Sequence, residues 1–269
     1  MERWIVDISV WKASALDFSR AISILPSHEH SSITRYVKVE DRKRALVSRL
    51  LQYALVHQVL GIPFDEIIIR RTVQGKPYVK YGKEGPEFPN FNFNVSHHGD
   101  YVAIASEPFC LVGLDIVFHA LPVEQIIPEY IQSFSSYFSS MEWYNIMNTA
   151  TFDDRLKVLH RYWTLKESFV KAIGTGLGYP LNVLEFHHIN WTDIYVNINK
   201  KEARGWKFWH FELKEGLFVS VARGSPCMAT ESYKQALGQT DLDEGVYDPW
   251  LNLPNPSFSW RTVEELIPN

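Results

Sequence analysis

The chain lacks the features that mark several large classes of protein. Its 269 residues contain only two cysteines, Cys110 and Cys227, which form no CxxC pair. A disulfide scaffold and a zinc ribbon are therefore excluded, and the composition is typical of a reducing compartment. No stretch approaches the roughly 20 apolar residues of a membrane-spanning helix, and Asp7 interrupts the apolar N-terminal run that a secretion signal would need. We therefore expect a cytoplasmic protein without a membrane-spanning segment.

An excess of one charge is also lacking. The net charge of -4 gives no overall field that would attract nucleic acid or an anionic membrane. A polyanionic ligand would have to bind a local basic cluster, and one lies between residues 35 and 49, diluted only by Glu40 and Asp41. Such a run is typical of a solvated helix face. Together with Arg71 and Lys76 it is equally consistent with a site for several phosphates. The basic residues of the cluster are Arg35, Lys38, Arg42, Lys43, Arg44 and Arg49.

The common nucleotide loops are missing as well. The chain contains no GxxxxGK[ST] sequence, and its glycine run GTGLG at 174–178 follows a predicted helix and leads to Pro180. A dinucleotide-binding loop would follow a strand and precede a helix, so these glycines predict a helix cap and a turn. Ser168 and Lys171 match the S-x-x-K pattern of penicillin-interacting acyl enzymes, but no S-D-N or K-T-G accompanies them. An acyl enzyme is therefore only a weak alternative.

The periodicity of the chain predicts an α+β fold. Alternation from Trp4 to Val10 predicts a strand, and apolar residues recurring at i+4 predict a helix from Glu40 to Leu60. Ser139 and Glu142 form a capping-box pattern before a short helix, and a longer helix is predicted from about Arg155 to Ile173. Strands are predicted at 67–71, 77–80, 91–96, 101–106, 111–117, 182–188, 194–198, 206–213 and 217–222.

This order of elements predicts two pseudo-duplicated halves. Each would be a long helix packed on a small antiparallel sheet, with the active site between them. We place the first half at residues 1–118, the second at 119–228, and a surface-packed tail with a weak helix signal at 229–269. The junction between the halves would lie at 119–128.

Two carboxylates stand out as candidates for chemistry. On the long helix, Glu167 and Lys171 share a polar stripe with His160 and Thr164. In an isolated helix this pair would be a surface ion pair worth about 0.2–0.5 kcal/mol. Asp115 lies in an apolar strand, where a carboxylate needs a hydrogen-bonding partner or a cation. A hard cation such as Mg²⁺ is favoured if Glu167 faces Asp115.

The turn after the strand at 91–96 contains two adjacent histidines, His97 and His98. Neighbouring side chains of an extended chain point to opposite sides, so the two imidazoles are not expected to bind one metal ion. One of them could instead donate a proton to an anion, or both could be ordinary turn residues.

In combination these segments resemble the 4′-phosphopantetheinyl transferases of the large, two-half type. The matching segments occur in the family's order and cover the chain to about residue 225. The resemblance is closest to the eukaryotic lysine-pathway and broad-specificity members of the family. The most specific are the strand VGLDIV and, after it, the helix RYWTLKESFVKAIGTGLGYPL. The others are EDRKRALVSRLL, QGKP, FNFNVSHHGDYVAIAS and YFSSMEW.

The resemblance implies transfer of 4′-phosphopantetheine from coenzyme A to a serine of acyl or peptidyl carrier protein domains, with Mg²⁺ as cofactor. Asp115 and Glu167 match the metal-binding acids, and Lys171 matches the lysine that faces the pyrophosphate. Glu167 is also the expected base. The first half would hold the CoA nucleotide, the second would carry the catalytic helix and dock the carrier, and the enzyme would be a monomer. The expected CoA contacts are Arg44, Arg71, Lys76, Asn94, Ser96, His97 and Lys171.

The sequence departs from the family pattern at two places. Members with a third metal-binding acid read GxDxE, whereas Val117 stands at the last position here, and His98 replaces a glutamine. Basic residues expected just before RYVKVED are missing, since Glu29 and Ser32 occupy that region, and Arg35 or Arg44 could compensate. A CoA-binding module without transferase activity is the principal alternative function.

Overall fold

The computed structural model describes residues 1–80, 90–120, 127–176, 178–238 and 244–268. Its α-helices are α1 (Ala15–Ser23), α2 (Ser27–Thr34), α3 (Val39–Leu60), α4 (Ile127–Ser133), α5 (Ser140–Met147), α6 (Phe152–Ile173), α7 (Glu231–Leu237) and α8 (Glu244–Leu251). Its strands are β1 (Arg3–Asp7), β2 (Ile69–Arg71), β3 (Pro77–Val79), β4 (Asn92–His98), β5 (Tyr101–Glu107), β6 (Leu111–Phe118), β7 (Leu184–Ile189), β8 (Thr192–Ile198), β9 (Lys201–Glu202), β10 (Trp206–Lys214), β11 (Leu217–Gly224) and β12 (Ser259–Trp260).

Two sheets form the centre of the molecule. The first has the strand order β12-β1-β5-β4 and the second the order β10-β11-β6. Apart from the parallel pair β1–β12, neighbouring strands of both sheets are antiparallel. The hairpin β2–β3 and the small sheet β7-β8-β9 lie outside them. The α+β class predicted from the periodicity is confirmed.

The layers follow the order helix, sheet, sheet, helix. The long helix α3 covers one face of the first sheet, where Leu46 and Leu50 share a core with Val102 and Ile104. The opposite faces of the two sheets pack on each other. The long helix α6 covers the outer face of the second sheet. Because both faces of each sheet are covered, β5 is buried along its whole length.

Strand β6 belongs to the second sheet, although the predicted division at 118 assigns it to the first half. It pairs with β11 from Leu111 opposite Gly224 to Phe118 opposite Leu217. Residues 121–126 of the predicted junction lie outside the described residues. The division into 1–118, 119–228 and 229–269 stays a prediction.

The C-terminal tail does more than cover the surface. Its strand β12 extends the first sheet beside β1. Val263 and Leu266 are each 2% exposed and belong to the core beneath α3. The helical signal at 263–267 corresponds to a short 3-10 helix, Glu264–Leu266.

The outer edge of β6 has no strand beside it among the described residues, and side chains take the place of one. Asn92 Oδ1 accepts the Val112 N–H at 3.0 Å, and Asn94 Oδ1 accepts the Leu114 N–H at 2.9 Å. Phe93, between the two asparagines, points to the α3 core. The alternation FNFNVS thus satisfies backbone groups of β6 that would otherwise be buried without partners.

Candidate active site

Helix α6 lies unusually close to β6, and this closeness creates the site. It begins after Thr151, whose side chain accepts the Asp154 N–H, and ends at Gly174 in the left-handed conformation with φ 77°. A side chain at Gly113 would clash, because its Cβ would lie 1.8 Å from the Ser168 carbonyl oxygen. The contact at Gly113 brings the next inward-facing residue of β6, Asp115, against the helix.

Asp115, Ser96 and Lys171 form a triangle of hydrogen bonds. The Lys171 Nζ lies 2.8 Å from Asp115 Oδ1 and 2.8 Å from Ser96 Oγ, and Ser96 Oγ lies 2.9 Å from the same carboxylate oxygen. Lys171 also donates to the Leu114 carbonyl at 3.1 Å. Residues from β4, β6 and α6 therefore meet at one point. The sequence placed Glu167 opposite Asp115 and did not predict the contact of Lys171 with Asp115.

Glu167 stands one helical turn before Lys171 but does not pair with it. Among the described residues, the salt bridge of Lys171 is with Asp115, so the surface ion pair expected of an isolated helix is not formed. Burial, and next the negative charge of Asp115, raise the pKa of Glu167. Two partly buried carboxylates beside each other are unfavourable alone and are stabilised by a cation.

His97 and His98 are the last two residues of strand β4 and pair with β5, so they do not form the turn that the sequence predicted, and their environments differ. Desolvation and the nearby charges of Lys171 and Arg44 lower the pKa of His97. His98 Nδ1 accepts the Phe118 N–H at 2.9 Å, so a neutral ring carries its proton on Nε2. In that tautomer His98 has no free lone pair for a metal ion.

A cleft of about 530 Å³ opens beside this group. Its walls come from α2, α3, the β2–β3 hairpin, β4 and the end of α6. Arg35, Arg49 and Arg71 line it together with His97 and Lys171. Partial desolvation, and next the charge of Arg49, lower the pKa of Arg71. Cations held this close to one another favour an anionic ligand.

Arg49 is held in the cleft wall by Glu29, at 2.7 Å. The acid that stands in the region where the family has basic residues thus orients an arginine of α3. Arg44, which the resemblance favoured, is not among the residues that line the cleft. It donates to the Gly99 carbonyl and pairs with Asp41.

Lys76 lies at the cleft but its ammonium group is already engaged. It is 6% exposed and donates to the carbonyls of Val112, Lys171 and Ala172. Burial, and next the charge of Lys171, lower its pKa well below the ordinary value. The three protons of the amino group are donated to backbone carbonyls at the end of α6 and the edge of β6. This geometry gives no support for a phosphate contact by Lys76.

Ser168 does not have the environment of a nucleophile. It is fully buried, and its Oγ donates to the Leu165 carbonyl at 2.8 Å. Neither substrate nor solvent reaches this hydroxyl, so the S-x-x-K alternative is excluded by the geometry.

Sequence reasoning left two features of the site unassigned. The sequence identified Arg49 only as one member of a basic run. Ala45, Arg49 and Gln52 are spaced four and three positions apart on α3, so they share one face of the helix, and all three line the cleft. Lys166 next to Glu167 received no role, yet it forms a fully buried salt bridge with Glu142 at 2.7 Å. No local pattern distinguishes a lysine with a buried partner from one in solvent.

The described residues contain no group of three or more His, Cys, Asp or Glu side chains that could hold a metal ion. Val117 is one reason why a third acidic ligand is lacking beside Asp115 and Glu167. It lies two positions after Asp115 on the same face of β6, where an acid would complete a third ligand. Asp115 and Glu167 remain as a pair of oxygen donors. Such a pair suits a hard cation that completes its shell with water and substrate oxygens.

The fold and the cleft define an α+β protein with an arginine-lined cleft that suits an anionic ligand. Residues 9–109 match the family description "4′-phosphopantetheinyl transferase, N-terminal", and residues 111–227 match "4′-phosphopantetheinyl transferase superfamily". The chain belongs to the 4′-phosphopantetheinyl transferase family, and it is an enzyme with phosphopantetheinyl transferase activity. The alternative of a binding module without this activity is not retained.

Two vertebrate relatives illustrate the similarity. The human L-aminoadipate-semialdehyde dehydrogenase-phosphopantetheinyl transferase is 34% identical over 232 residues, which are 83% of this chain and 75% of the relative. The Xenopus laevis protein of the same name is 38% identical over 229 residues, 82% of this chain and 76% of the relative. The solved holo-[acyl-carrier-protein] synthase of Thermotoga maritima is 17% identical and covers 43% of this chain and 62% of that one. Its TM-score of 0.32 is too low to support an argument.

Proposed function

We propose that this enzyme transfers the 4′-phosphopantetheine group of coenzyme A to a serine hydroxyl of an apo acyl or peptidyl carrier domain. The reaction would require Mg²⁺ and release adenosine 3′,5′-bisphosphate. The observation that carries the proposal is the cleft lined by arginines and Lys171, together with the salt bridge from Lys171 to Asp115 and the electrostatic effect of Asp115 on Glu167.

The arginine-lined part of the cleft suits the nucleotide of CoA. Arg35, Arg49 and Arg71 can each present a planar guanidinium to phosphate oxygens. An anion bound there would also raise the lowered pKa of His97 and make it a better donor. Asn94 uses its Oδ1 for the Leu114 N–H, which leaves its amide NH₂ as a donor toward the cleft.

The carboxylates of Asp115 and Glu167 would hold the Mg²⁺ ion. Lys171 and Ser96 occupy only one oxygen of Asp115, and no described residue donates to the other oxygen or to Glu167. When bound, Mg²⁺ would neutralise the pyrophosphate and polarise the phosphorus that bears pantetheine.

The chain's own groups would then handle protons and charge. The carrier serine oxygen bonds to the phosphorus while the bond from that phosphorus to the bridging oxygen of the pyrophosphate breaks. Glu167, directly or through a water, would accept the hydroxyl proton. Lys171 offsets the charge that develops on the departing adenosine bisphosphate. Because positioning and charge stabilisation are sufficient, no covalent enzyme intermediate is needed.

The first test mixes the protein with CoA, Mg²⁺ and a panel of apo carrier domains and measures each carrier by intact mass. We expect at least one carrier to gain one phosphopantetheine group. The absence of an adduct on every carrier would refute the proposal, and the panel would identify the acceptors.

The second test assigns Glu167. We expect Glu167→Gln to bind CoA with nearly unchanged affinity and to lose transfer by at least about 100-fold, the lower end of the loss of a general base. Glu231→Gln is the matched control, because Glu231 is an exposed residue of α7. Transfer by Glu167→Gln near the wild-type rate would remove the role of base from Glu167.

The location and assembly of the enzyme are part of the proposal. We propose that the enzyme is cytoplasmic. We also propose that it is a monomer, because Asp115, Glu167, Lys171 and the arginine cleft all come from one chain. No helix in the described ranges is long and apolar enough to cross a membrane. Light scattering coupled to size exclusion tests the monomer, and a dimer would contradict it.

A further inference from the structure

We propose that His119 and His160 form a cation site that binds a divalent transition metal, of the class of Zn²⁺, through imidazole nitrogens. The two histidines meet where the end of β6 contacts the middle of α6. The inference goes beyond the proposed function, because that reaction gives neither histidine a role and would use a different cation at Asp115 and Glu167.

The ring nitrogens of the two histidines already have the spacing of metal ligands. His119 Nδ1 lies 3.3 Å from His160 Nδ1. Zinc binds histidine nitrogens at about 2.0–2.1 Å with tetrahedral angles, which places two such nitrogens about 3.3–3.4 Å apart. To converge on one ion, each lone pair must point about 35° away from the line that joins the nitrogens. The last torsion of a histidine is soft, so small rotations of the two rings are sufficient.

Asp153 prepares His119 for this role. His119 Nε2 lies 2.8 Å from Asp153 Oδ1. An ionised carboxylate only accepts, so the proton of a neutral His119 ring is on Nε2 and its Nδ1 carries a lone pair. Lys157 holds the same carboxylate, with its Nζ 2.5 Å from Asp153 Oδ2. Metal-binding histidines almost always donate their other N–H to a carboxylate, a carbonyl or water, and His119 has this arrangement.

His160 can bind a metal ion without losing a proton. Because the proton of His119 is on Nε2, His160 donates its own Nδ1–H to His119 Nδ1 in the absence of a metal. Burial, and next the charge of His119, lower the pKa of His160 to about 3, so this ring is neutral at pH 7. Metal binding at Nδ1 moves the one proton to Nε2, which gives the other neutral tautomer.

The topology separates this site from the two acids. The His119 N–H bonds to the Gly216 carbonyl at 2.7 Å, so His119 continues the row of β6 residues that face α6. It follows Asp115 by four residues, which is about 13 Å along a strand. On α6, His160 precedes Glu167 by seven residues, which is about 10.5 Å along the helix axis. A cation at the histidines would therefore be a separate ion from one at the acids.

The donor atoms select the class of ion. Imidazole nitrogens suit Zn²⁺ and Cu²⁺, whereas Mg²⁺ prefers carboxylate and water oxygens. The part of the chain that the structure describes has no group of three or more His, Cys, Asp or Glu side chains that could hold a metal. Two positions of a tetrahedral ion would therefore be taken by water or a small anion, as in open sites.

The experiment uses tag-free protein that has been treated with a chelator. Zn²⁺ affinity is measured by calorimetry in an excess of Mg²⁺, which competes for the two acids. Cu²⁺ then serves as a probe in electron paramagnetic resonance, because nitrogen couplings distinguish imidazole from oxygen ligands. The proteins compared are wild type, His119→Ala, His160→Ala, Asp153→Asn and His57→Ala.

His57→Ala is the matched control. His57 lies on α3, in the opposite outer layer of the molecule, and its Nδ1 bonds to the Ile62 carbonyl at 2.8 Å. We expect wild type and this control to bind one Zn²⁺ with equal affinity and to show two imidazole nitrogens on Cu²⁺. Asp153→Asn retains both ligands and should weaken Zn²⁺ binding about 10-fold, the lower end for loss of a supporting carboxylate.

His119→Ala and His160→Ala each remove a ligand, so each should weaken Zn²⁺ binding more than Asp153→Asn does, by at least about 100-fold. Unchanged Zn²⁺ affinity in either of these variants, or a Cu²⁺ spectrum with oxygen ligands alone, would overturn the inference. If circular dichroism shows that the alanine variants do not fold, Asp153→Asn decides, and an affinity equal to wild type refutes the site. None of these readouts uses transfer to a carrier, so failure of the proposed function would leave the result intact.

Discussion

The buried salt bridge between Lys166 and Glu142 makes a large contribution to stability that can be tested directly. Both side chains are 0% exposed, and Lys166 Nζ lies 2.7 Å from Glu142 Oε2. Glu142 also accepts the N–H groups of Ser139 and Phe186, each at 2.9 Å. Lys166 donates to the carbonyls of Leu181, at 2.9 Å, and Leu184. The pair thus joins α5, α6, the segment before β7 and β7 itself.

Lys166→Met removes one charge and leaves the other buried without its partner. Burial raises the pKa of Glu142, and the Lys166 ammonium is the largest of the groups that oppose that rise. Breaking a buried pair in this way costs about 3–5 kcal/mol. With a shift in Tm of roughly 2–4 °C per kcal/mol for a protein of this size class, we expect Tm to fall by about 6–20 °C.

The measurement is urea and thermal unfolding followed by circular dichroism. Lys157→Met is the matched control, because Lys157 pairs with Asp153 at the surface, where both side chains are more than one third exposed, and it should cost less than about 1 kcal/mol. The double variant Glu142→Gln with Lys166→Met should recover most of the loss, because it removes the orphaned charge. A loss below about 1 kcal/mol for Lys166→Met, or no recovery in the double variant, would refute the reasoning.

Three further predictions test the packing, the titration and the cleft. Gly113→Ala should cost at least about 3 kcal/mol in urea unfolding, since its Cβ would overlap the backbone of α6, whereas Gly205→Ala, whose Cβ would lie an ordinary 3.5 Å from the Ser225 side chain, should be nearly neutral. Burial lowers the pKa of His160 to about 3, so the folded protein keeps this ring neutral while the unfolded chain binds a proton below about pH 6.5. Stability should therefore fall as the pH decreases, and His160→Gln should lose about 2 kcal/mol less than wild type between pH 7 and pH 5; an equal loss would contradict this. Arg49→Met should raise the Kd for CoA at least about 10-fold in calorimetry and Arg44→Met less than about 3-fold, and the reverse order would show that the nucleotide lies outside the cleft.

The long elements could be predicted from the sequence because their signals are local. The helix predicted from Glu40 to Leu60 is observed as α3, Val39–Leu60, and Gly61 ends it in the left-handed conformation. The capping box of Ser139 and Glu142 is formed as predicted. The short helices α1 and α2 were not predicted. Helix α2 has one buried residue and little apolar periodicity, whereas α1 is amphipathic and begins at a capping box of Ser14 and Asp17, a local signal that could have revealed it.

The sequence by itself determined the α+β class and the two long helices, and it singled out Asp115, Glu167 and Lys171 as candidates for one site. Periodicity, caps and the ordered family segments carry that information, because each depends on residues close together in the chain. The tertiary structure alone decided which partner each polar group has. Lys171 pairs with Asp115, Lys76 donates hydrogen bonds to carbonyls at the end of α6, and Arg49 lines the cleft. These contacts depend on how closely α6 approaches β6 and on which edge of β6 lacks a strand, and no local pattern encodes either distance.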